Sequence, residues 1–247
     1  MSRLTDKQDA YGHAMHDYLH GKGGYEIVER EDGLAASSAG PPAYFAAHRN
    51  WDPMERKAIR FARDRVLDIG CGAGRVALYL QEKGHEVLGI DVSPLAVRVC
   101  RERGVKRAKV MSITQVSRRL GVFDTIVMFG NNFGLFGTFN RARWLLRRFR
   151  GMTTDHGRII AQSNDPYQTD QPHHLAYQRQ NKRRGRMGGQ LRIRTRYLTY
   201  ATPWFDYLLV ARDEMRAILD GTGWHVAQFV DSGGSVYVAV IEKDVQE

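Results

Sequence analysis

The sequence predicts an α/β fold: a mostly parallel sheet, doubly wound, with helices on both faces. Three observations carry this. From Arg65 onward, short apolar runs alternate with helical patterns, the rhythm of strand–helix crossovers. One run, Val66-Leu67-Asp68-Ile69, ends in glycines that open a helix. The next run, Glu86 to Ile90, ends at an acid, Asp91.

Taken in order, residues 1–60 carry no strand pattern. Tyr11, Met15, Tyr18 and Leu19 recur at helical spacing. Gly21 to Gly24 breaks that helix, and Gly33 to Pro42 reads as a loop. A second helix is led by Asp52-Pro53 as cap and first turn. Strand Val66–Ile69 precedes a helix over Arg75–Lys83. Strand Glu86–Ile90 precedes a helix over Pro94–Arg103, with Ser93 as N-cap. Ala108–Met111 is a third strand. Phe123–Phe129, nearly all apolar, reads as a fourth strand covered on both faces. A helix over Ala142–Phe149 and a fifth strand over Gly157–Gln162 follow. Then the rhythm changes. Leu191, Ile193, Thr195 and Tyr197 alternate with Arg192, Arg194 and Arg196, a strand with one apolar and one basic face. Thr202-Pro203 turns it into a partner run, Trp204–Val210, so a basic strand pair is inserted after the fifth strand. Arg212–Leu219 is helical, and Trp224–Val230 and Val236–Ile241 flank Gly233-Gly234 as an antiparallel hairpin.

The 247 residues and 43% hydrophobic content suffice for one globular core. No apolar run is long enough for a membrane span. The polar N-terminus lacks a secretory pattern. The two cysteines, Cys71 and Cys100, form neither a disulfide framework nor a zinc cluster. A cytoplasmic protein without a metal is expected. Net charge is +10, from 37 Lys+Arg against 27 Asp+Glu, which favours anionic partners. The cations cluster: no acid occurs between Gln171 and Phe205, and Arg141, Arg143, Arg147, Arg148 and Arg150 form a second group.

The glycine turn narrows the chemistry. Backbone without Cβ atoms lets a ligand approach closely, and the N–H groups of the helix start face it. An acid at the end of the next strand can accept hydrogen bonds from ribose hydroxyls. Together they point to a nucleoside-bearing cofactor. The spacing Gly70-x-Gly72-x-Gly74 brings the third glycine one residue earlier than the nicotinamide fingerprint, and no Lys-Ser/Thr follows as in a triphosphate loop.

Asp68-Ile69-Gly70-Cys71-Gly72-Ala73-Gly74 resembles motif I of class I S-adenosylmethionine-dependent methyltransferases. Gly89-Ile90-Asp91-Val92-Ser93 resembles their acidic motif, and Phe123–Met128 resembles the strand that carries motif IV. The resemblance runs from about Arg65 to Ser163. It implies a Rossmann-like sheet of seven strands, the last antiparallel, and S-adenosylmethionine as cofactor. It further implies that Gly70, Cys71, Gly72 and Gly74 underlie the cofactor. Asp91, with Val92 beside it, takes the ribose. Asp68 orients the loop or reaches the methionine amino group. Met111 and Ser112 lie beside adenine; many relatives carry an acid near there and this chain has none. Gly130 and Asn131 border the methionine end and the acceptor. Residues 1–60 would then be a helical lid, and 61–247 the cofactor-binding domain.

Because the sulfonium methyl is already activated, methyl transfer needs mainly alignment of a nucleophile, plus a base where the acceptor holds its proton. Candidate bases are His173 and His174, after the fifth strand, and Asp206, set among Trp204, Phe205 and Tyr207. Asn164-Asp165-Pro166-Tyr167 resembles an amino-methylation tetrapeptide but follows the wrong strand, and is read as a turn. The expected acceptor is a small molecule with an O or N nucleophile, anionic acceptors included. Residues 179–196 keep RNA open as an alternative acceptor, with pairing of their arginines to Glu26, Glu29, Glu31 and Asp32 as the plain structural reading. A cofactor-binding protein without catalysis is the remaining alternative.

Overall fold

The computed structural model describes residues 4–231 and 233–244. Along the chain run α1 (Ala10–Leu19), β1 (Ile27–Arg30), β2 (Ala35–Ser37), α2 (Gly40–Phe45), α3 (Pro53–Ala58), β3 (Arg65–Ile69), α4 (Arg75–Glu82), β4 (Glu86–Asp91), α5 (Pro94–Glu102) and β5 (Ala108–Val110). Then follow β6 (Phe123–Met128), α6 (Phe139–Arg150), β7 (Thr153–Asn164), α7 (Pro172–Arg183), β8 (Gln190–Tyr197), β9 (Tyr200–Ala201), β10 (Phe205–Leu208), α8 (Arg212–Leu219), β11 (Trp224–Asp231) and β12 (Val236–Lys243). Seven strands make one sheet, in the order β11-β12-β7-β6-β3-β4-β5. The predicted Rossmann-like class is therefore observed, C-terminal antiparallel hairpin included.

The chain divides into two compact units. The first holds the described residues up to 51, together with 64–116 and 192–205. Here β3, β4 and β5 run parallel. Val66, Leu67 and Ile69 of β3, Val87, Leu88 and Ile90 of β4, and Val97, Val99 and Cys100 of α5 are buried. Near-continuous apolar strands of this kind are what two covered faces require. α1 packs along α5. It is capped by Asp9, whose Oδ1 accepts from Gly12 N at 3.0 Å. A small antiparallel sheet completes the unit: β1 pairs with β2 and with β8, and β9 returns on β8.

That small sheet departs from the sequence expectation, which gave residues 1–60 no strand. β1 is only four residues long, and its partner β8 lies over 160 residues away. No local periodicity can signal such a pairing. The β8 alternation is as expected, with Ile193, Thr195 and Tyr197 buried. Glu29 stands opposite Arg194 and accepts two hydrogen bonds from it, at 2.8 and 3.1 Å. Arg196 adds a contact at 3.5 Å. Of the four N-terminal acids expected to answer the basic face, Glu29 does so. Asp32 pairs with Arg30 instead, and Glu26 is buried.

The second unit comprises residues 52–63, 117–191 and the described residues from 206 onward. β6 and β7 are parallel, and β12 runs antiparallel to both β7 and β11. Ile126–Met128, Ile159–Ala161 and Val238–Ile241 form its core with Leu145, Leu146 and Phe149 of α6. Asp52 caps α3 through Met54 N at 2.9 Å, as its Asp-Pro signature predicts. α7 was not legible, because it buries little: only Tyr177 and Asn181 are fully covered. Polar contacts hold it instead, Asn181 Nδ2 to Gly188 O and Gln190 O, and Gln178 Nε2 to Pro166 O. Asn164–Tyr167 ends β7 in a turn closed by Tyr167 N to Asp165 Oδ1 at 3.0 Å.

Candidate functional site

The glycine turn lies in the first unit, at the carboxyl end of β3. Gly70, Gly72 and Gly74 all take left-handed backbone, with φ of 73°, 52° and 82°. The turn is tied to β4, since Gly70 N and Cys71 N both donate to Ile90 O, at 2.9 and 3.0 Å. The last glycine serves packing as well as conformation. A Cβ at Gly74 would lie 2.8 Å from Cys100 Sγ and 2.7 Å from Val105 Cγ2. Cys71 and Cys100 meet beneath the turn, their Sγ atoms 3.7 Å apart, and Cys100 donates to Gly72 O.

Two buried acids face this backbone. Asp91 Oδ2 accepts from Gly72 N at 3.0 Å, and Oδ1 accepts from Ser93 N at 2.9 Å. These bonds fix the carboxylate yet leave lone pairs on each oxygen. Burial raises its pKa to about 6, opposed by the N–H groups of Ser93 and Gly72. Asp68 is 2% exposed, and its Oδ2 has no hydrogen-bond partner. Burial pushes it to about 7; Arg75 pulls it down, and Asp91 adds to the rise. A buried carboxylate oxygen with no partner among the described residues is unusual, and a bound donor or cation is one group that would satisfy it. Further along, Met111 N donates to Asp91 O at 2.8 Å. Ser112 is committed locally: its hydroxyl accepts from Thr114 N, and its N–H donates to Gln115 Oε1.

α1 covers the turn. A Cβ on Gly72 would lie 3.8 Å from Met15 Sδ, and one on Gly12 would collide with Ser93 Oγ. Asp9, buried at the start of α1, also accepts from Leu95 N at 3.0 Å, joining α1 to the start of α5. The sequence reading missed Asp9. Its capping role has a local signal; its bond to Leu95, 86 residues away, has none.

In the second unit, Gly130 and Asn131 follow β6, and both take positive φ. Gln162 Oε1 accepts from Gly130 N and Asn131 N, and Tyr207 O–H donates to Asn131 O at 2.6 Å. Asn131 Oδ1 is buried without a partner. Gln162 and Tyr207 were not singled out by sequence, for neither belongs to a motif. His173 and His174 lie in the first turn of α7 with ring centroids 4.2 Å apart, and His173 is exposed. Asp206 is half-buried on β10. Structure thus gathers Asp68, Gly70, Cys71, Gly72, Gly74, Asp91, Val92, Met111 and Ser112 in one unit. Gly130, Asn131, His173, His174 and Asp206 belong to the other.

Residues 66–157 match the family described as Methyltransferase domain. The whole fold is similar to a SAM-dependent methyltransferase from Bacteroides fragilis, solved in complex with S-adenosyl-L-homocysteine. The TM-score is 0.84 at 26% identity, over 99% of this chain and 98% of that one. The match and the structural likeness support a class I S-adenosylmethionine-dependent methyltransferase. Shorter stretches resemble two sequence relatives. One is a 2-heptyl-1-hydroxyquinolin-4(1H)-one methyltransferase of Mycobacteroides abscessus, 38% identical over 25% of this chain and 30% of the relative. The other is an uncharacterized RNA methyltransferase of Halalkalibacterium halodurans, 28% identical over 42% of this chain and 23% of the relative. The aligned stretches thus span less than a third of these relatives' lengths.

Within this methyltransferase fold, the glycine turn and Asp91 occupy the strand ends where a doubly wound sheet binds its ligand. The residues fit the family's cofactor. Asp91 offers oriented lone pairs for a ribose diol, and orphaned Asp68 Oδ2 matches an ammonium group. Among the described residues, no group of three His, Cys, Asp or Glu side chains is placed to hold a metal ion. Nor is any described helix long and apolar enough to cross a membrane.

Proposed function

We propose that this methyltransferase binds S-adenosylmethionine over the Gly70–Gly74 turn and transfers its methyl group to an O or N nucleophile of a small molecule. The carrying observation is the Asp68–Asp91 pair: two buried acids, one fixed by Gly72 and Ser93, the other with a buried Oδ2 that has no partner among the described residues. When bound, the cofactor supplies an activated methyl carbon. Asp91 holds the ribose and Asp68 the methionine amino group. A small-molecule acceptor agrees with the quinolone relative.

RNA is the second reading, and α7 favours it. Arg179, Lys182, Arg183 and Arg184 are exposed there, and among the described residues Arg179 and Arg183 form no ion pair. The β8 half of the basic segment is partly neutralised by Glu29. One experiment separates the readings: protein, methyl-labelled cofactor, and a cell extract split into small-molecule and RNA fractions. Label in the small-molecule fraction is expected. Label in RNA alone, with transfer falling steeply as salt rises, would replace the acceptor assignment. Cofactor binding with no transfer to any fraction would support a non-catalytic role.

Residues 1–60 act in this proposal as a lid. Supporting it, Met15 lies against Gly72 and Asp9 holds Leu95. The hinge is the connection after α1, where Gly21, Gly23 and Gly24 all take positive φ. S-adenosylhomocysteine is expected to slow proteolysis across residues 20–45 several-fold. Equal cleavage with and without ligand would remove the lid.

A further inference from the structure

The N-terminal segment buries a carboxylate that the reaction described so far does not use. Glu26, just before β1, is 5% exposed. Its side-chain partners are hydroxyls: Tyr44 O–H donates to Oε2 at 3.0 Å, and Ser38 also bonds to it. Among the described residues, no Lys, Arg or His pairs with it. The chain of groups continues outward. Tyr44 packs beside Tyr11, the two rings tilted together with centroids 5.1 Å apart. Tyr11 lies on α1, one turn before Met15, and both tyrosines pack against the buried cluster of Met15 and Ala73 beside the glycine turn. Acid, phenol and phenol therefore link the interior of the first unit to the neighbourhood of the cofactor acids.

A carboxylate buried without a cation is costly unless its charge is used. Glu26 is held in reserve by hydroxyls, which can pass a proton, and by aromatic rings, whose faces attract cations. Burial also raises its pKa and makes it a stronger base than an exposed glutamate. A neutral alcohol would leave the buried charge unanswered. An ammonium ion answers it, and must lose a proton before its nitrogen can attack.

We propose that the acceptor is an amine entering as its ammonium ion beside Tyr44 and Tyr11, and that Glu26, acting through Tyr44, receives its proton. The inference rests on the methyltransferase reading above. An ammonium N–H proton passes to the Tyr44 hydroxyl oxygen as Tyr44's own proton passes to Glu26 Oε2. The freed nitrogen lone pair forms the new bond to the sulfonium methyl carbon, and the C–S electron pair leaves with sulfur. The products are a methylated ammonium ion, neutral S-adenosylhomocysteine and protonated Glu26, which returns its proton to water. Charge and atoms balance. Tyr44 and Tyr11 are the groups that meet the ammonium; Glu26 is a positioning residue behind them.

The test uses benzylamine, phenethylamine and putrescine, with benzyl alcohol and phenethyl alcohol as neutral counterparts. Each is titrated into the S-adenosylhomocysteine-bound protein and assayed with methyl-labelled cofactor. At least one amine is expected to bind saturably and accept label, and the alcohols are not. Glu26→Gln is expected to lower amine turnover about 100-fold, the low end for loss of a proton acceptor, while S-adenosylhomocysteine affinity stays within about twofold. Glu26→Asp should recover part of the rate. Tyr44→Phe, which keeps the ring and removes the relay, should match Glu26→Gln even where the latter melts early. Undiminished turnover in both variants, preference for the alcohols, or no amine binding to a protein that binds S-adenosylhomocysteine would overturn the proposal. Failure to bind S-adenosylhomocysteine would instead bring down the methyltransferase reading beneath it.

Discussion

Asp91→Ala is expected to weaken S-adenosylhomocysteine binding by about 100- to 1,000-fold in a calorimetric titration. Two contributions add. Hydrogen bonds to a charged group are worth about 1.5–3 kcal/mol each, and about 1.4 kcal/mol is a factor of ten in affinity. A ribose diol engages both carboxylate oxygens, so two such bonds are lost. Asp91 also holds Gly72 N and Ser93 N, and so fixes the turn that underlies the cofactor. Asp91→Asn keeps the side-chain shape and one acceptor oxygen, and should lose less. NADH should not displace the ligand, because the third glycine stands one residue too early for the nicotinamide pattern. Wild-type affinity in a folded Asp91→Ala protein, confirmed by its melting curve, would place the ribose elsewhere.

Cofactor affinity should rise steeply with pH, and Asp68 should be the cause. Burial raises Asp68 to about 7 and Asp91 to about 6 in the free protein. An ammonium group and a ribose diol both favour the ionised carboxylates. Binding therefore strengthens as pH rises through 6 to 7 and weakens as it falls through the same window. For one group titrating near 7, affinity should drop on the order of 30-fold between pH 8 and pH 5.5. The stability of the free protein runs the other way. A carboxyl with a raised folded-state pKa binds more protons folded than unfolded, so its contribution is greatest at low pH and is lost as pH rises through 6 to 7. Asp68→Asn should bind S-adenosylmethionine more weakly at pH 8 and show a flatter pH dependence. An unchanged slope in that variant would assign the titration to another group.

Some of this protein is written locally in its sequence. The Val66–Gly74 strand-turn-helix, the acid ending β4, the Ser93 and Asp52 caps and the C-terminal hairpin each rest on residues within about twenty positions of one another. Apolar periodicity, glycine at positive φ and side-chain capping are local physics, so the sheet class and the two acids beside the glycine turn were legible there. The family resemblance lay in the same stretch. What the sequence did not reveal depends on partners far along the chain or on polar bonds that leave no apolar periodicity. β1 is a strand because β8 reaches it across more than 160 residues. α7 escaped notice because polar bonds to Gly188, Gln190 and Pro166 hold it in place of an apolar stripe.

The candidate site divides in the same way. Sequence by itself determined the fold class and the residues of the glycine turn, with Asp68 and Asp91 beside it, because motif spacing is set by one strand and its own loop. Only the tertiary structure decided that Met15 lies on Gly72, that Asp9 clasps α5, and that Glu26 ends buried among hydroxyls with no cation beside it among the described residues. Gln162 and Tyr207 brace Asn131 for the same reason. Burial and hydrogen-bond satisfaction are properties of the packed chain, and no spacing along the sequence records which polar atom is left without a partner.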